Sequence, residues 1–305
     1  MKSLPWSGIY SAVTSKFDTD GQLDLEAFLD SLRIQVNAGI NAIIIGGSLG
    51  ESSTISHDER IEMLYTARSE FKHNVPLLIN IAEGSTHHAV ALAMRAEDSG
   101  ADGLMVLPPM MYKATDAEVV DFFADIATST SLPILLYNNP VDYKIEITPL
   151  MFDLLLKHDT IQAVKESTRD TANVTRLRNW FGERLKILTG VDTIAAESII
   201  MGADGWVAGL VNAFPAETVA LFRMIKAGQI EKAIAINSWF LPLFELDISP
   251  QLVQNIKLAE SIAGIGTEYV RLPRKMLSGT HRERIVTIVE DAISNRPDLS
   301  GYLNL

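Results

Sequence analysis

In the segment Ile161-Gln162-Ala163-Val164-Lys165-Glu166-Ser167, a short apolar run closes on Lys165. A second run, Pro133-Ile134-Leu135-Leu136-Tyr137, lies about one strand–helix unit upstream and ends on a tyrosine. Short, nearly continuous apolar runs are typical of strands that are buried on both faces, as in a parallel sheet covered by helices. The two runs therefore predict neighbouring parallel strands, each with a polar side chain at its carboxyl end.

Further runs of this kind alternate with amphipathic segments at a spacing of roughly 20 to 35 residues, which is the rhythm of strand–helix units. The predicted strands begin at Ile9, Ala42, Pro76, Gly103, Pro133, Ile161, Lys186 and Gly205. The predicted helices include Leu25–Ala38, Asp58–Phe71, Thr86–Ser99, Asp116–Ala127 and Thr148–Lys157. Before two of these helices, at Ser56 and Thr115, a hydroxyl precedes a glutamate by three residues, which is the pattern of a capping box.

Eight such units predict an α/β fold, a closed (β/α)8 TIM barrel, followed by a C-terminal helical extension. The strand signal stops after Ala208-Gly209, and the sequence from Glu217 onward is predicted to be helical. We predict a catalytic barrel domain over residues 1–225 and a helical extension over residues 226–305 that packs on it. An open doubly wound sheet is the alternative, but no Gly-x-Gly-x-x-Gly motif follows the first strand.

The composition limits the classes of function. The 305-residue chain is 47% hydrophobic, which is enough for one large core, and its formal net charge is −12. Because no basic stripe is available to neutralise phosphates, nucleic acid and anionic membranes are not predicted partners. The chain has no cysteine, which excludes disulfides, thiolate metal sites and cysteine nucleophiles. The stretch Met1–Gly8 lacks the apolar core of a signal peptide and no stretch reaches membrane-spanning length, so we expect a cytoplasmic protein.

Position along a strand separates candidate catalytic residues from structural ones, because a barrel carries its chemistry at the carboxyl ends of its strands. Lys186 opens its strand, whereas Lys165 closes its strand and is predicted to point into the mouth of the barrel. An ammonium group is costly to bury unpaired, so Lys165 is predicted to lose its proton and act as a nucleophile. This pattern indicates imine chemistry on a 2-oxo acid. A structural salt bridge between Lys165 and Glu166 is the alternative.

Other polar groups are predicted at the same end of the barrel. The Tyr137 phenol can both donate and accept a hydrogen bond, so it is a candidate for moving protons between the amine, the carbinolamine and the substrate. The alternative is that the tyrosine only fills the top layer of side chains inside the barrel. The loop Gly46–Ser52 contains three glycines whose backbone N–H groups could form a nest for a carboxylate, and a flexible turn is the alternative. Gly190 and Val207-Ala208 end the seventh and eighth strands, where backbone groups could contact a ligand or only form turns.

Metal and serine-hydrolase chemistry are not predicted. The histidines fall on predicted helices or loops without ligand spacing: His57, His73, His87, His88, His158 and His281. No Gly-x-Ser-x-Gly elbow is present.

Four strings occur in the order and spacing of one known family. They are Gly47-Ser48-Leu49-Gly50-Glu51, Tyr137-Asn138-Asn139-Pro140, Val164-Lys165-Glu166-Ser167 and Gly202-Ala203-Asp204-Gly205. With them the chain resembles, over essentially its whole length, the dihydrodipicolinate synthase and N-acetylneuraminate lyase family. The resemblance implies that Lys165 is a Schiff-base lysine, that Tyr137 transfers protons, and that no cofactor or metal is required. It also implies a homo-oligomer, a dimer or a tetramer built from dimers.

The same resemblance implies a set of substrate-binding residues. Ser48 and the N–H groups around Ser48 and Leu49 would hold the substrate carboxylate, with Gly47 in the same loop. Gly190 and Val207 would supply backbone contacts. The implied partner is a small-molecule 2-oxo or 2-imino acid.

The chain departs from the synthase pattern at three positions. The synthase has two adjacent threonines in the glycine-rich loop, and a tyrosine from a neighbouring subunit completes a hydroxyl relay. Here the second threonine position is Leu49 and the tyrosine position is Met111, with Tyr112 one residue away as an open substitute. The synthase also carries an arginine shortly after the Tyr-Asn-x-Pro turn. This chain has Val141-Asp142-Tyr143 there, and an acidic residue is predicted to repel a dianionic second substrate.

Other strings resemble a catabolic branch of the family, which deaminates 1-pyrroline-4-hydroxy-2-carboxylate from hydroxyproline breakdown to 2,5-dioxopentanoate and ammonia. These strings are Leu104–Pro109, Tyr137–Val141, Thr189–Asp192 and Trp206–Ala213. We therefore predict a Schiff-base lyase and favour this deaminase. The alternatives are a pyruvate-dependent aldolase or synthase, such as 4-hydroxy-tetrahydrodipicolinate synthase, and a non-catalytic binding protein on the same scaffold.

Overall fold

The strands form one closed parallel barrel, in which each strand pairs with the next along the chain and the last pairs with the first. The computed structural model describes residues 4–305, so Met1, Lys2 and Ser3, which open the predicted domain and the stretch examined for a signal peptide, lie outside the described residues. The strands are β1 (Gly8–Ala12), β2 (Ala42–Ile45), β3 (Leu77–Ile81), β4 (Gly103–Val106), β5 (Ile134–Asn138), β6 (Ile161–Glu166), β7 (Lys186–Thr189) and β8 (Gly205–Ala208). The predicted (β/α)8 barrel is confirmed.

Helices cover the outside of the barrel and continue beyond its last strand. They are α1 (Leu25–Ala38), α2 (His57–Phe71), α3 (Thr86–Asp98), α4 (Asp116–Ser129), α5 (Pro140–Tyr143), α6 (Pro149–Leu155), α7 (Ala172–Phe181), α8 (Ala195–Ile200), α9 (Pro215–Lys226), α10 (Ile230–Phe244), α11 (Leu252–Ile262) and α12 (Gly279–Ser294). Both predicted capping boxes are present, at the start of α2 and of α4. No helix within residues 4–305 is long and apolar enough to cross a lipid bilayer.

Two predicted strands began one residue too early, at Pro76 and Pro133. Proline has no N–H group to donate to a ladder, so the strand proper starts at the next residue. The proline carbonyls still accept, from Ile43 N at 3.0 Å and from Leu104 N at 2.9 Å.

The pairing of β5 with β6 places the two polar residues that close the predicted apolar runs side by side. Tyr137 and Lys165 are partners in this register. In paired parallel strands, residues directly opposite each other project to the same face of the sheet. The tyrosine and the lysine therefore lie at one level on the inner side of the barrel, at its carboxyl end.

The C-terminal extension is held to the barrel by buried ion pairs. Helix α9 packs on β1 and α1 and completes the eighth unit, and the proposed division at residues 225/226 falls in its last turn. Lys16, which follows β1, pairs with Glu260 of α11 at 3.1 Å, and Glu51, which follows β2, pairs with Lys257 of the same helix at 2.8 Å. All four side chains are fully buried. Breaking such a pair on one side costs about 3–5 kcal/mol, so these contacts fix α11 over the carboxyl end of the barrel.

Candidate active site

A cavity of about 320 Å³ opens at the carboxyl ends of the strands. The residues predicted from the sequence all line it: Gly47, Ser48, Leu49, Tyr137, Lys165, Gly190 and Val207. They come from β2, β5, β6, β7 and β8 or from the loops directly after these strands. The volume suits a small organic molecule.

Lys165 is buried in the wall of this cavity and has no ion-pair partner within the described chain. Its Nζ lies 4.0 Å from the centroid of the Tyr137 ring. Burial lowers the pKa of the Lys165 ammonium, because the charged form loses its hydration, and nearby carboxylates only partly oppose this effect. The neutral amine, which is the nucleophilic form, is therefore favoured more than in an exposed lysine.

The alternative role for Lys165, a salt bridge with Glu166, is absent from the described residues. Glu166 Oε2 accepts from Asn138 Nδ2 at 3.2 Å, and Oε1 accepts from the backbone N–H of Thr168 at 2.8 Å. Adjacent residues of a strand project to opposite faces, so the glutamate points away from the lysine. By contrast Lys186, at the other end of the barrel, pairs with Glu183 and Asp204.

The Tyr137 phenol is oriented by a short chain of polar groups. Asn139 Nδ2 donates to Tyr137 Oη at 3.2 Å and to Asp142 Oδ2 at 2.8 Å. Burial raises the pKa of Tyr137 to about 12, so the phenol keeps its proton at neutral pH. A protonated hydroxyl beside a neutral amine can deliver a proton to an oxygen and take one back.

Tyr143 is a member of the site that the sequence interpretation missed. Its hydroxyl lies 2.7 Å from Ser48 Oγ, and its ring packs edge-on against the Tyr137 ring at 5.4 Å. Burial raises the pKa of the Tyr143 phenol as well. The short helix α5, capped by Asn139 and begun by Pro140, carries the tyrosine back over the cavity.

Tyr112, the substitute left open by the sequence, does not reach Ser48 within this chain. Met111 and Tyr112 are both exposed, and neither lines the cavity. Slight desolvation raises the pKa of the Tyr112 phenol, and the nearby Glu118 raises it further. Within one chain, the hydroxyl beside Ser48 is therefore supplied by Tyr143, from the loop after β5.

The charge of Asp142 is partly compensated, which modifies the predicted repulsion. Its Oδ1 lies 3.6 Å from a guanidinium nitrogen of Arg169, in the loop after β6. Both side chains are substantially exposed, so the pair contributes little to stability. The guanidinium nevertheless offsets part of the negative charge that Asp142 presents to the cavity, which both side chains line.

The sequence interpretation also missed two carboxyl groups of the site, one in the barrel and one in the extension. Asp192, after β7, is buried and accepts from Trp206 Nε1 at 2.9 Å and from Leu210 N at 2.8 Å. Asp247, between α10 and α11, lines the cavity together with Ile248. Within residues 4–305 no group of three or more His, Cys, Asp or Glu side chains is arranged to hold a metal ion.

The loop after β2, predicted from the sequence to hold a carboxylate, has backbone N–H groups without partners in the described chain. Ser48 and Leu49 lie near the start of this loop and line the cavity, and no acceptor elsewhere in the described chain bonds their backbone N–H groups. Neighbouring turns are closed, with Glu51 N donating to Ser48 O at 3.2 Å and Ser52 N donating to Gly47 O at 3.1 Å. Two unused N–H groups facing a cavity are suited to an anion.

Comparison with known proteins places this geometry in one family. A sequence profile described as the dihydrodipicolinate synthetase family matches residues 5–292. The chain belongs to this family. A 4-hydroxy-tetrahydrodipicolinate synthase of Xanthomonas campestris is 30% identical over 291 residues, which cover 94% of this chain and 95% of the relative. A protein of the same name from Kosmotoga olearia is 30% identical over 287 residues, which cover 93% of this chain and 97% of the relative.

Solved structures of this family have the same architecture. The dihydrodipicolinate synthase of Aquifex aeolicus superposes with a TM-score of 0.88 at 26% identity and covers 93% of this chain and 97% of its own. The 4-hydroxy-tetrahydrodipicolinate synthase of Methylacidiphilum fumariolicum gives a TM-score of 0.88 at 28% identity and covers 94% and 97%. The family match over residues 5–292 includes the barrel and most of the helical extension.

Proposed function

We propose that this protein forms a Schiff base between Lys165 and C2 of a small 2-oxo acid. The observation that carries the proposal is a buried lysine with no ion-pair partner among residues 4–305, whose Nζ lies 4.0 Å from the ring centroid of a tyrosine that keeps its proton. An uncharged amine beside a proton donor is what addition to a carbonyl requires. The cavity of about 320 Å³ limits the substrate to a small molecule.

In the proposed first step the amine of Lys165 attacks C2, and the carbonyl electrons move to its oxygen. Tyr137 delivers a proton to that oxygen and recovers one from the nitrogen, which gives a carbinolamine. Protonation of the hydroxyl and loss of water then leave a protonated imine. The imine withdraws electrons from C3, so loss of a C3 proton or cleavage of the C3–C4 bond gives an enamine.

The substrate carboxylate is proposed to bind at the loop after β2. The free N–H groups of Ser48 and Leu49 would donate to it, and the paired hydroxyls of Ser48 and Tyr143 would lie beside it. Leu49 offers only its N–H group here, because its side chain has no hydroxyl. Gly190 and Val207 would border the C2 side of the ligand.

For the second step, the relatives favour carbon–carbon bond chemistry. The relatives in Xanthomonas and Kosmotoga both have the name of a synthase. We therefore propose a pyruvate-dependent aldolase or synthase as the first identity for the enzyme. The enamine would attack an aldehyde in the forming direction, or would be released from one in the cleaving direction.

The deaminase of 1-pyrroline-4-hydroxy-2-carboxylate is the second candidate, and the loop after β5 is the observation that favours it. Asp142 lies where a synthase has the arginine for its second carboxylate, and its Oδ2 accepts from Asn139 at 2.8 Å. A monocarboxylate substrate needs no such arginine. For this substrate, transimination would open the ring, the enamine would expel the 4-hydroxyl, and hydrolysis would release ammonia.

Reductive trapping tests the shared first step. With pyruvate and borohydride, the full chain is expected to carry one reduced pyruvyl group on the peptide that contains Lys165, as read by mass spectrometry. A non-catalytic binding protein would bind pyruvate without this adduct, so absence of the adduct would overturn the proposal. Ammonia release from 4-hydroxy-pyrroline-2-carboxylate, measured beside condensation of pyruvate with aspartate semialdehyde, then separates the two candidate activities.

Replacing Tyr143 with phenylalanine tests the Ser48–Tyr143 pair. The Tyr143→Phe variant keeps the ring that packs on Tyr137 but loses the hydroxyl at 2.7 Å from Ser48, so we expect about a 10-fold fall in kcat/KM for imine formation. The matched control is Tyr112→Phe, which removes an exposed hydroxyl from the loop after β4. A loss in the Tyr112 variant with none in the Tyr143 variant would show that the relay hydroxyl comes from the other loop.

The predicted homo-oligomer, dimer or tetramer, and the predicted cytoplasmic location remain predictions. Sedimentation of the purified protein would determine the oligomeric state.

A further inference from the structure

One carboxyl group reaches the cavity from outside the barrel. Asp247 lies in the segment between α10 and α11, and it lines the cavity with Lys165 and Tyr137. The carboxyl packs directly on the backbone of Gly209, because a Cβ built on that glycine would lie 2.8 Å from Asp247 Oδ1. The glycine after β8 thus leaves the space that the carboxyl occupies.

Asp247 differs from the neighbouring Asp192 in how its oxygens are used. Asp192 accepts from the indole of Trp206 and from the backbone N–H groups of Gly209 and Leu210. For Asp247 no hydrogen-bond donor and no ion-pair partner lies within reach among residues 4–305. A carboxyl held in a cavity without a partner is costly to folding, and such groups are concentrated where a ligand supplies the missing contact.

The groups around Asp247 come from several strands. The charges that act on it are those of Asp192 after β7, Lys165 on β6, Asp142 after β5 and Arg169 after β6, and its own charge acts on Tyr137. Burial, with a contribution from Asp192, raises the pKa of Asp247 to about 8. At neutral pH the group therefore holds a proton and does not repel a substrate carboxylate.

We propose that Asp247 is a catalytic acid–base group, which exchanges a proton with the oxygen on C4 of the substrate. This inference rests on the proposed Schiff-base function and adds a second proton carrier to Tyr137. Tyr137 lies on β5, which is three strands from β8 and three from β2 around the closed barrel. Asp247 packs against the end of β8, so it approaches the lysine from another side than Tyr137. The two proton carriers would then serve different substrate oxygens.

In the bond-forming direction, the enamine C3 attacks the aldehyde carbon, which becomes C4, and the carbonyl electrons move to the aldehyde oxygen. The Asp247 carboxyl gives its proton to that oxygen, so that a hydroxyl and a carboxylate result. In the cleaving direction the carboxylate takes the hydroxyl proton, the C3–C4 bond breaks, and its electrons enter the imine. In the hydroxypyrroline case the same proton converts the 4-hydroxyl into water as the C4–O bond breaks.

The test separates the step at C4 from the steps before it. The Asp247→Asn variant of the full chain keeps the shape of the side chain but cannot supply the proton. Trapping with pyruvate and borohydride, and exchange of the pyruvate C3 protons in deuterated water, involve no oxygen on C4, and we expect both within about two-fold of wild type. Turnover of pyruvate with aspartate semialdehyde, or of 4-hydroxy-pyrroline-2-carboxylate, whichever the wild type uses, is expected to fall about 10²-fold.

The pH profile gives a second readout. Because the acid form of Asp247 is required, wild-type turnover in the forming direction is expected to decline as the pH rises through about 8, and this decline is expected to be absent in Asp247→Asn. The matched control is Glu245→Gln, an exposed carboxylate two residues away, which should match wild type in every assay.

Two outcomes would overturn the assignment. Turnover of Asp247→Asn within two-fold of wild type would show that the carboxyl transfers no proton. An equal loss of pyruvate exchange and of turnover would show that it only positions Lys165. If the wild type itself forms no adduct with pyruvate, then the proposed function fails, and the role of Asp247 falls with it.

Discussion

Replacing Lys165 with alanine is expected to lower turnover by at least about 10⁴-fold and to abolish the borohydride-trapped adduct. The reason is that the amine is the only nucleophile proposed to bond to the substrate, so its removal ends the covalent route and does not merely slow it. Steady-state kinetics and mass spectrometry of the pyruvate-treated variant measure the two effects. Pyruvate could still bind to the loop after β2, so we expect binding without a covalent bond.

Stability provides an independent check on the same variant. Lys165 is buried with no ion pair in the described chain, which penalises its charged form and makes the residue unfavourable for folding, and alanine removes that cost. We therefore expect the free energy of unfolding of Lys165→Ala to equal or exceed that of wild type, as measured by urea denaturation. If Lys165 instead stabilised the fold, the free energy of unfolding of Lys165→Ala would be lower than that of wild type.

The control is Lys186→Ala, which removes a lysine of the neighbouring strand from the other end of the barrel. Lys186 pairs with Glu183 and Asp204 near the surface, so its loss should cost less than about 1 kcal/mol and leave turnover unchanged. Full activity of Lys165→Ala would rule out covalent catalysis by this lysine.

The barrel could be predicted from the sequence because its signals are local. Each strand is a short apolar run, since parallel strands covered by helices are buried on both faces. The capping boxes at Ser56 and Thr115 are also local, and both formed as predicted. The errors at Pro76 and Pro133 were of one residue, because an apolar run does not show where ladder hydrogen bonds begin.

The residues missed at the candidate site depend on contacts between distant segments. Tyr143 is brought to Ser48 by the short helix α5, which begins directly after Asn139 and is ended by Lys144 in a left-handed conformation at φ 60°. In the string Val141-Asp142-Tyr143, the missing arginine and the acidic residue were interpreted from the sequence, but the tyrosine was not. The residues next to Asp142 in the sequence also give no sign of Arg169, although a guanidinium nitrogen of Arg169 lies 3.6 Å from Asp142 Oδ1 in the fold.

Asp247 was beyond sequence reasoning for a related reason. Its place in the wall of the cavity is set by the packing of the extension, which depends on two ion pairs, Lys16–Glu260 and Lys257–Glu51. The partners in these pairs are more than 200 residues apart, at separations of 244 and 206. A helical segment after the last strand has no local feature that tells whether it faces the cavity or solvent.

The last prediction concerns Gly190, whose replacement by alanine is expected to lower the rate of imine formation by about 10³-fold. Alanine's Cβ would lie 2.3 Å from Ser167 Oγ and 2.6 Å from both Cγ and Cε of Lys165. Such contacts are shorter than carbon atoms tolerate, so the lysine stem must move by about 1 Å or more. A displacement of about 1 Å at a reacting group alone costs about 10²-fold, and the shift of Ser167 adds to it.

The effect is steric and not a matter of backbone freedom, because the φ angle of Gly190 lies outside the left-handed region that favours glycine. The matched control is Gly84→Ala, whose Cβ would meet only Cγ of the exposed Met111 side chain, at 3.3 Å. Stopped-flow measurement of pyruvate imine formation, with thermal unfolding of both variants, separates a displaced lysine from a misfolded barrel. If folded Gly190→Ala formed the imine within about 10-fold of wild type, the lysine would tolerate far more displacement than the geometry allows.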